Sequence, residues 1–110
     1  MKRTLAITFL FALAGCGGGD VDGCDFRSEE DRCQERVREV ADPAGTVSAA
    51  FQMTCEAAGG GFLADGCPAE GRVAGCELGS GAETVTDWYY APKTRADVEM
   101  ACGDDTVVDP

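Results

Sequence analysis

The sequence predicts an α+β fold, a small disulfide-rich domain in which a helical hairpin precedes a short three-stranded antiparallel sheet and a C-terminal helix. Three observations carry this reading. Apolar residues recur at helical spacing as far as Ala58 and at strand spacing from Phe62 onward. Beyond the apolar stretch Leu5 to Ala14, only fourteen residues are Val, Leu, Ile or Phe, a content at which chains stay unfolded unless something besides the core holds them. Seven cysteines in 110 residues supply that something.

The first helix is expected to open at Ser28. Its hydroxyl can cap free N–H groups, and Asp31 stands three residues on as a capping-box variant. Glu29, Glu30 and Asp31 would lie at the positive end of the dipole, with Arg36 and Arg38 toward the negative end. Cys33, Val37, Val40 and Ala41 make one apolar stripe, and Asp42-Pro43 stops it. Thr46 can cap a second helix whose stripe is Val47, Phe51, Cys55 and Ala58, with Gly59-Gly60-Gly61 as terminator. Phe62 to Ala64, Arg72 to Leu78 and Thr84 to Tyr90 then read as strands. Asp65-Gly66, the turn from Pro68 to Gly71, and Gly79-Ser80-Gly81 separate them. Ala91-Pro92-Lys93 stops the last strand. Thr94, with Asp97 three on, opens a final helix to Cys102, and Gly103 closes it. Residues 104–110 read as a frayed acidic tail.

Charge narrows the function. Once Lys2 and Arg3 are set aside with the N-terminal segment, seven basic residues face twenty acidic ones, a net charge of −13. Nucleic acid is excluded as a partner, because Lys and Arg must replace phosphate counterions. An anionic lipid surface is excluded as a charge-driven partner for the same reason. The length allows one small domain.

Lys2 and Arg3 followed by the apolar run Leu5 to Ala14 have the layout of a secretory signal, too short to span a bilayer. Leu13-Ala14-Gly15-Cys16 resembles the lipobox of bacterial lipoproteins. The resemblance implies that residues 1–15 are removed as a signal peptide and that Cys16 is lipidated as the first mature residue. Three acyl chains would anchor the protein to a membrane permanently, where one chain holds weakly. Gly17, where an Asp would signal retention in the inner membrane, implies the outer membrane. Ala12-Leu13-Ala14 also permits ordinary cleavage after Ala14. Parity favours lipidation, since Cys16 taken for lipid leaves an even six. Residues 16–23 then form a Gly-rich tether reaching roughly 15 Å.

The six are Cys24, Cys33, Cys55, Cys67, Cys76 and Cys102. Zinc sites use close C-x₂₋₄-C pairs or His, whereas the shortest spacing here is nine residues and His is absent. The pattern reads as a disulfide framework, with no metal and no cofactor. The absence of C-x-x-C argues against a thioredoxin-like redox role. In the expected helical hairpin, Cys33 and Cys55 lie level on facing stripes, which predicts a Cys33–Cys55 bridge. The segments Cys55-Glu-Ala-Ala-Gly-Gly-Gly-Phe, Cys67-Pro68, Val73-Ala-Gly-Cys76, Tyr89-Tyr90 and Cys102 resemble small Cys-patterned modules of myxobacterial-type lipoproteins. The likeness covers about half the mature chain and brings no activity with it. It implies that Cys55 and Cys102 end successive units, and a rival Cys55–Cys102 pairing.

Asp20, Asp22 and Asp25 have the spacing of a calcium loop but lack its Gly and Glu, and read as a solvated acidic tether. Trp88, Tyr89 and Tyr90 are the one aromatic cluster, with Trp88 and Tyr90 on one strand face and Tyr89 on the other. Core packing is the plainer reading, but an aromatic left outside could stack on a saccharide or a partner side chain. Ser28, Ser48 and Ser80 sit in no nucleophile motif, so no catalytic residue and no enzyme are expected. The sequence thus leaves two readings. One is a lipid-anchored structural or spacer module of the cell envelope. The other is a small binding or inhibitor module for a cationic envelope protein or a saccharide.

Overall fold

The computed structural model describes residues 21–39, 44–79 and 83–110. Its centre is a six-stranded antiparallel sheet in the order β3-β1-β2-β5-β4-β6. The strands are β1 (Val21–Phe26), β2 (Arg32–Arg38), β3 (Gly61–Leu63), β4 (Arg72–Gly79), β5 (Glu83–Tyr90) and β6 (Thr106–Val108). Three helices interrupt them: the single turn α1 (Arg27–Glu30), α2 (Thr46–Ala57) and α3 (Arg95–Cys102).

This corrects the expected helical hairpin with a three-stranded sheet. The helix expected from Ser28 stops after one turn, because Asp31 takes a left-handed conformation at φ 55°. The chain then returns as β2 along β1, with Val21 opposite Val37 and Phe26 opposite Arg32. Along β2, Cys33, Glu35 and Val37 take one face while Arg32, Gln34, Arg36 and Arg38 take the other. The remainder of that expected helix, Val40 to Pro43, lies outside the described residues, as do Cys16 and the signal segment. Val21, Asp22 and Gly23, expected in a solvated tether, are sheet residues. Thr106–Val108, expected in a frayed tail, pair with β4.

Later elements follow their sequence signals. Thr94 caps α3 through a reciprocal capping box with Asp97, and Gly59 takes φ 91° just past α2. Both long helices lie on one face of the sheet, α2 over β1 and β3, α3 over β4 and β6. Residues 64–71 cover the opposite face, where Cys67 packs with Cys33, Trp88 and Tyr90. Gly75 is required there: a Cβ on it would come within 2.7 Å of the Trp88 ring.

Each of the three buried clusters is built around one disulfide. Cys24–Cys55 pins α2 to β1, Cys33–Cys67 pins the loop to β2, and Cys76–Cys102 pins α3 to β4. The expected Cys33–Cys55 bridge is therefore wrong, and so is its rival. Cys33 points to the loop-covered face and Cys55 approaches from the helix face, so the sheet itself separates them. Cys55 and Cys102 do occupy similar places, each near the end of a helix and bonded to a strand.

Arginine completes the core. Arg36 lies 4.0 Å over Phe51, Arg72 lies 4.1 Å over Trp88, Arg32 lies 4.7 Å over Phe26, and Arg27 lies 5.5 Å over Tyr90. Their aliphatic stems add apolar surface that the composition withholds, and the guanidinium faces gain cation–π attraction.

Candidate functional site

On the loop-covered face, Glu35 of β2 joins three elements. Its Oε1 accepts from Trp88 Nε1 at 3.1 Å, and its Oε2 accepts from the Cys67 backbone N–H at 2.9 Å and from Arg72 at 3.5 Å. Arg72 also donates to the carbonyls of Cys67 and Pro68, and the Tyr90 hydroxyl donates to Pro68 at 2.6 Å. Trp88 and Tyr90 are thereby buried and committed to holding the loop. Burial pushes the Tyr90 hydroxyl above its ordinary range.

A second buried polar cluster lies under α2. Asp22, 1% exposed, accepts from Ser48 at 2.9 Å and pairs with Arg38 at 3.4 Å. Arg36 approaches the same carboxylate at 3.9 Å and pairs with Glu83 at 3.1 Å. Burying these charges is tolerable only because they compensate one another. Asp22 is thus a structural ion-pair residue and not a member of a solvated acidic run. Asp25 is likewise engaged. A side-chain bond from Arg27 holds its carboxyl below the ordinary aspartate range.

Between α2 and β5 the helix side of the sheet leaves a groove of about 520 Å³, lined by Gln34, Arg36, Phe51, Thr54, Glu83 and Val85 among others. Further along the same face, Asp87 accepts from Arg32 and from Gln34, each at 3.1 Å. Tyr89 lies at the other side of this strip, half-buried against Ala74, Cys76 and Val98. Burial, with the Asp87 carboxylate beside it, raises its hydroxyl pKa. The groove offers amide, hydroxyl and paired charged groups around an apolar patch. Among the described residues, Glu83 is the carboxylate in its lining.

The structure therefore divides the aromatic triplet. Trp88 and Tyr90 share the loop-covered face and Tyr89 takes the other. Sequence reasoning missed Glu35, Arg72, Asp22 and Arg38. The polar alternation of β2, with Arg32, Gln34, Arg36 and Arg38 at every second position, was the one signal available. No protein-family model, curated protein or solved structure matches this chain.

Proposed function

We propose that the protein is a bacterial lipoprotein anchored through Cys16, displaying a small acidic, disulfide-stapled and non-catalytic domain as a structural or spacer module of the envelope. One observation supports it above the rest. All six cysteines from Cys24 to Cys102 are consumed in three bridges, which leaves Cys16 of the Leu13-Ala14-Gly15-Cys16 box as the single cysteine without a partner among them. Bridges persist in oxidising compartments, which export supplies, and the odd thiol has an assigned fate. Gly17 favours the outer membrane. The test is metabolic palmitate labelling with membrane fractionation of wild type and Cys16→Ser. Label and membrane residence are expected for wild type alone, and label retained on the Ser variant overturns the reading.

A second reading, a binding module for a cationic envelope protein, has its own support. The side chains of Arg36, Arg38 and Arg72 are 17%, 7% and 13% exposed, so internal pairing removes much of the positive charge from the surface. Exposed acids such as Glu29, Glu30, Glu39, Glu70, Asp104 and Asp105 then dominate outside. Such a field steers cationic partners. A stoichiometric partner retained from detergent-solubilised envelope and released by salt is the expected result. High abundance with no such partner leaves the spacer reading standing.

A further inference from the structure

Trp88 and Tyr90 hold the loop, whereas Tyr89, the third member of the aromatic triplet, stands on the helix face with no such task. That face is covered unevenly, since α2 lies over β1 and β3, and α3 over β4 and β6. The two central strands, β2 and β5, form the floor of a trough between the helices. Three cross-strand pairs face it: Arg36 with Val85, Gln34 with Asp87, and Arg32 with Tyr89. They extend over about 14 Å, longer than one pyranose ring. The charges on this floor are already paired, Arg32 with Asp87 and Glu30, Arg36 with Glu83. Asp87 and Arg36 are 14% and 17% exposed, so they lie deep yet within reach of a ligand. The bonds from Arg32 and Gln34 both end on Oδ1 of Asp87. Among the described residues, Asp87 Oδ2, the Gln34 amide oxygen and the Tyr89 hydroxyl have no hydrogen-bond partner. Beyond Gln34 the trough widens into the groove of about 520 Å³, where Val47, Ala50 and Val85 are flanked by the Thr46 and Thr54 hydroxyls. Small-ligand sites have volumes of about 300–1,000 Å³.

We propose that this trough binds a neutral saccharide chain. A hydroxyl both donates and accepts, so saccharide hydroxyls satisfy the open acceptors of Asp87 and Gln34 and bond to the Tyr89 hydroxyl. The C–H faces of the rings find apolar surface at Tyr89 and at the Val47–Ala50–Val85 patch. Other occupants fit less well. An anionic ligand is repelled by the acidic surface. A cationic segment meets two guanidinium groups on the floor and carboxylates that are already compensated. An apolar helix would cover Asp87, Gln34 and Arg36 without offering them a partner, which is costly. Binding through paired charges and hydroxyls is insensitive to salt, in contrast to steering by the outer acids.

The experiment uses the full chain as its cells process it, in a detergent without a sugar headgroup. The protein is passed over an array of neutral oligomers of glucose, galactose, mannose and N-acetylglucosamine, and a retained oligomer is titrated by NMR. Retention that salt does not weaken is expected, and an array that retains nothing overturns the proposal. Amide shifts should move along residues 32–36 and 85–89, while the Trp88 indole resonance on the opposite face stays in place. A moved indole with a silent trough puts the ligand elsewhere and overturns the site. Gln34→Ala should weaken binding about fivefold through one lost hydrogen bond. Thr54→Val, exposed and isosteric, should also weaken it without touching the sheet, and Met53→Ala, 72% exposed on α2, should change nothing. Wild-type affinity in both trough variants overturns the site. A lysine hexapeptide that displaces the saccharide and is released by salt overturns the ligand class. Acylation of Cys16 is read by neither assay, so this proposal and the anchor stand or fall separately.

Discussion

Removing the Cys24–Cys55 bridge tests how this fold is held. The double variant Cys24→Ala/Cys55→Ala opens a loop with a sequence separation of 31. In the chain-entropy treatment a loop of that size is worth about 3.7 kcal/mol at 25 °C. Spread over a domain of roughly 90 residues, at about 2.1 cal/mol/K of unfolding entropy per residue, this lowers Tm by about 20 °C. The loss should also be uneven. Besides the bridge, α2 is held by the Phe51–Phe62 edge contact at 6.2 Å, the Arg36–Phe51 stack and the Ser48–Asp22 hydrogen bond. Those contacts are few, so α2 should open locally before the sheet does. Calorimetry gives the first number and native-state hydrogen exchange the second. A Tm within about 5 °C of wild type, or α2 amides as protected as those of β2 and β5, refutes the reasoning.

Glu35→Ala leaves Trp88 Nε1 and the Cys67 N–H without their acceptor, at about 1–3 kcal/mol each. Urea unfolding should show the loss together with an altered near-ultraviolet tryptophan signal, and Glu35→Gln should lose less. Gly75→Ala forces a Cβ against the Trp88 and Thr86 side chains and should cost about 1–3 kcal/mol in the same assay. The pH profile has two edges. Tyr89 and Tyr90 have folded pKa values raised above 10.0, so their contribution is complete below the unfolded pKa and is lost as pH rises through the folded one. Tyrosinate absorbance should therefore develop later in the folded protein than in the denatured one. Asp25 and Asp97 are shifted down, by the Arg27 side chain and by the α3 backbone at Thr94. Their contribution is present above the unfolded carboxylate range and is lost as pH falls through the lower folded values. Urea midpoints across both ranges check the signs.

The elements legible in the sequence were those whose signals are local. Thr94 and Asp97 announce α3 by a capping box that needs only four residues, and Gly59-Gly60-Gly61 ends α2 without tertiary help. Strands β4 and β5 carry enough Val, Trp and Tyr to read as strands. Strand β2 was illegible because its alternation is not apolar against polar. Arg32, Arg36 and Arg38 occupy the helix face, where stacking on Phe26 and Phe51 and pairing with Asp22 make them core material. Hydrophobicity counts arginine as solvent-seeking, so Cys33, Val37 and Val40 stood out at a false helical period. Strand β1 carries two Asp and a Gly, β6 is only three residues long, and both become strands through partners distant in sequence. The disulfide pairing was lost with the hairpin, since which face of the sheet a cysteine takes follows from β2.

The buried arginines also bear on why the domain needs its bridges. Six arginines lie between Arg27 and Arg95, and four of them stack on aromatic rings. The buried ones tie acidic partners inward, as Arg38 does with Asp22 and Arg72 with Glu35. Such pairs compensate their own desolvation but add little net stability, and they leave the remaining acids to repel one another across the surface. With few large aliphatic residues to offset that repulsion, the three bridges become the main constraint on the unfolded chain. A sequence built this way folds only where disulfides form, so its stability depends on the oxidising compartment to which the segment before Cys16 is proposed to send it. Reduction separates this account from one in which packing suffices. With all three bridges opened by a strong reductant, the circular-dichroism melt should lose its cooperative transition. A reduced chain that melts cooperatively near the oxidised Tm would show that the arginine–aromatic core holds the fold by itself.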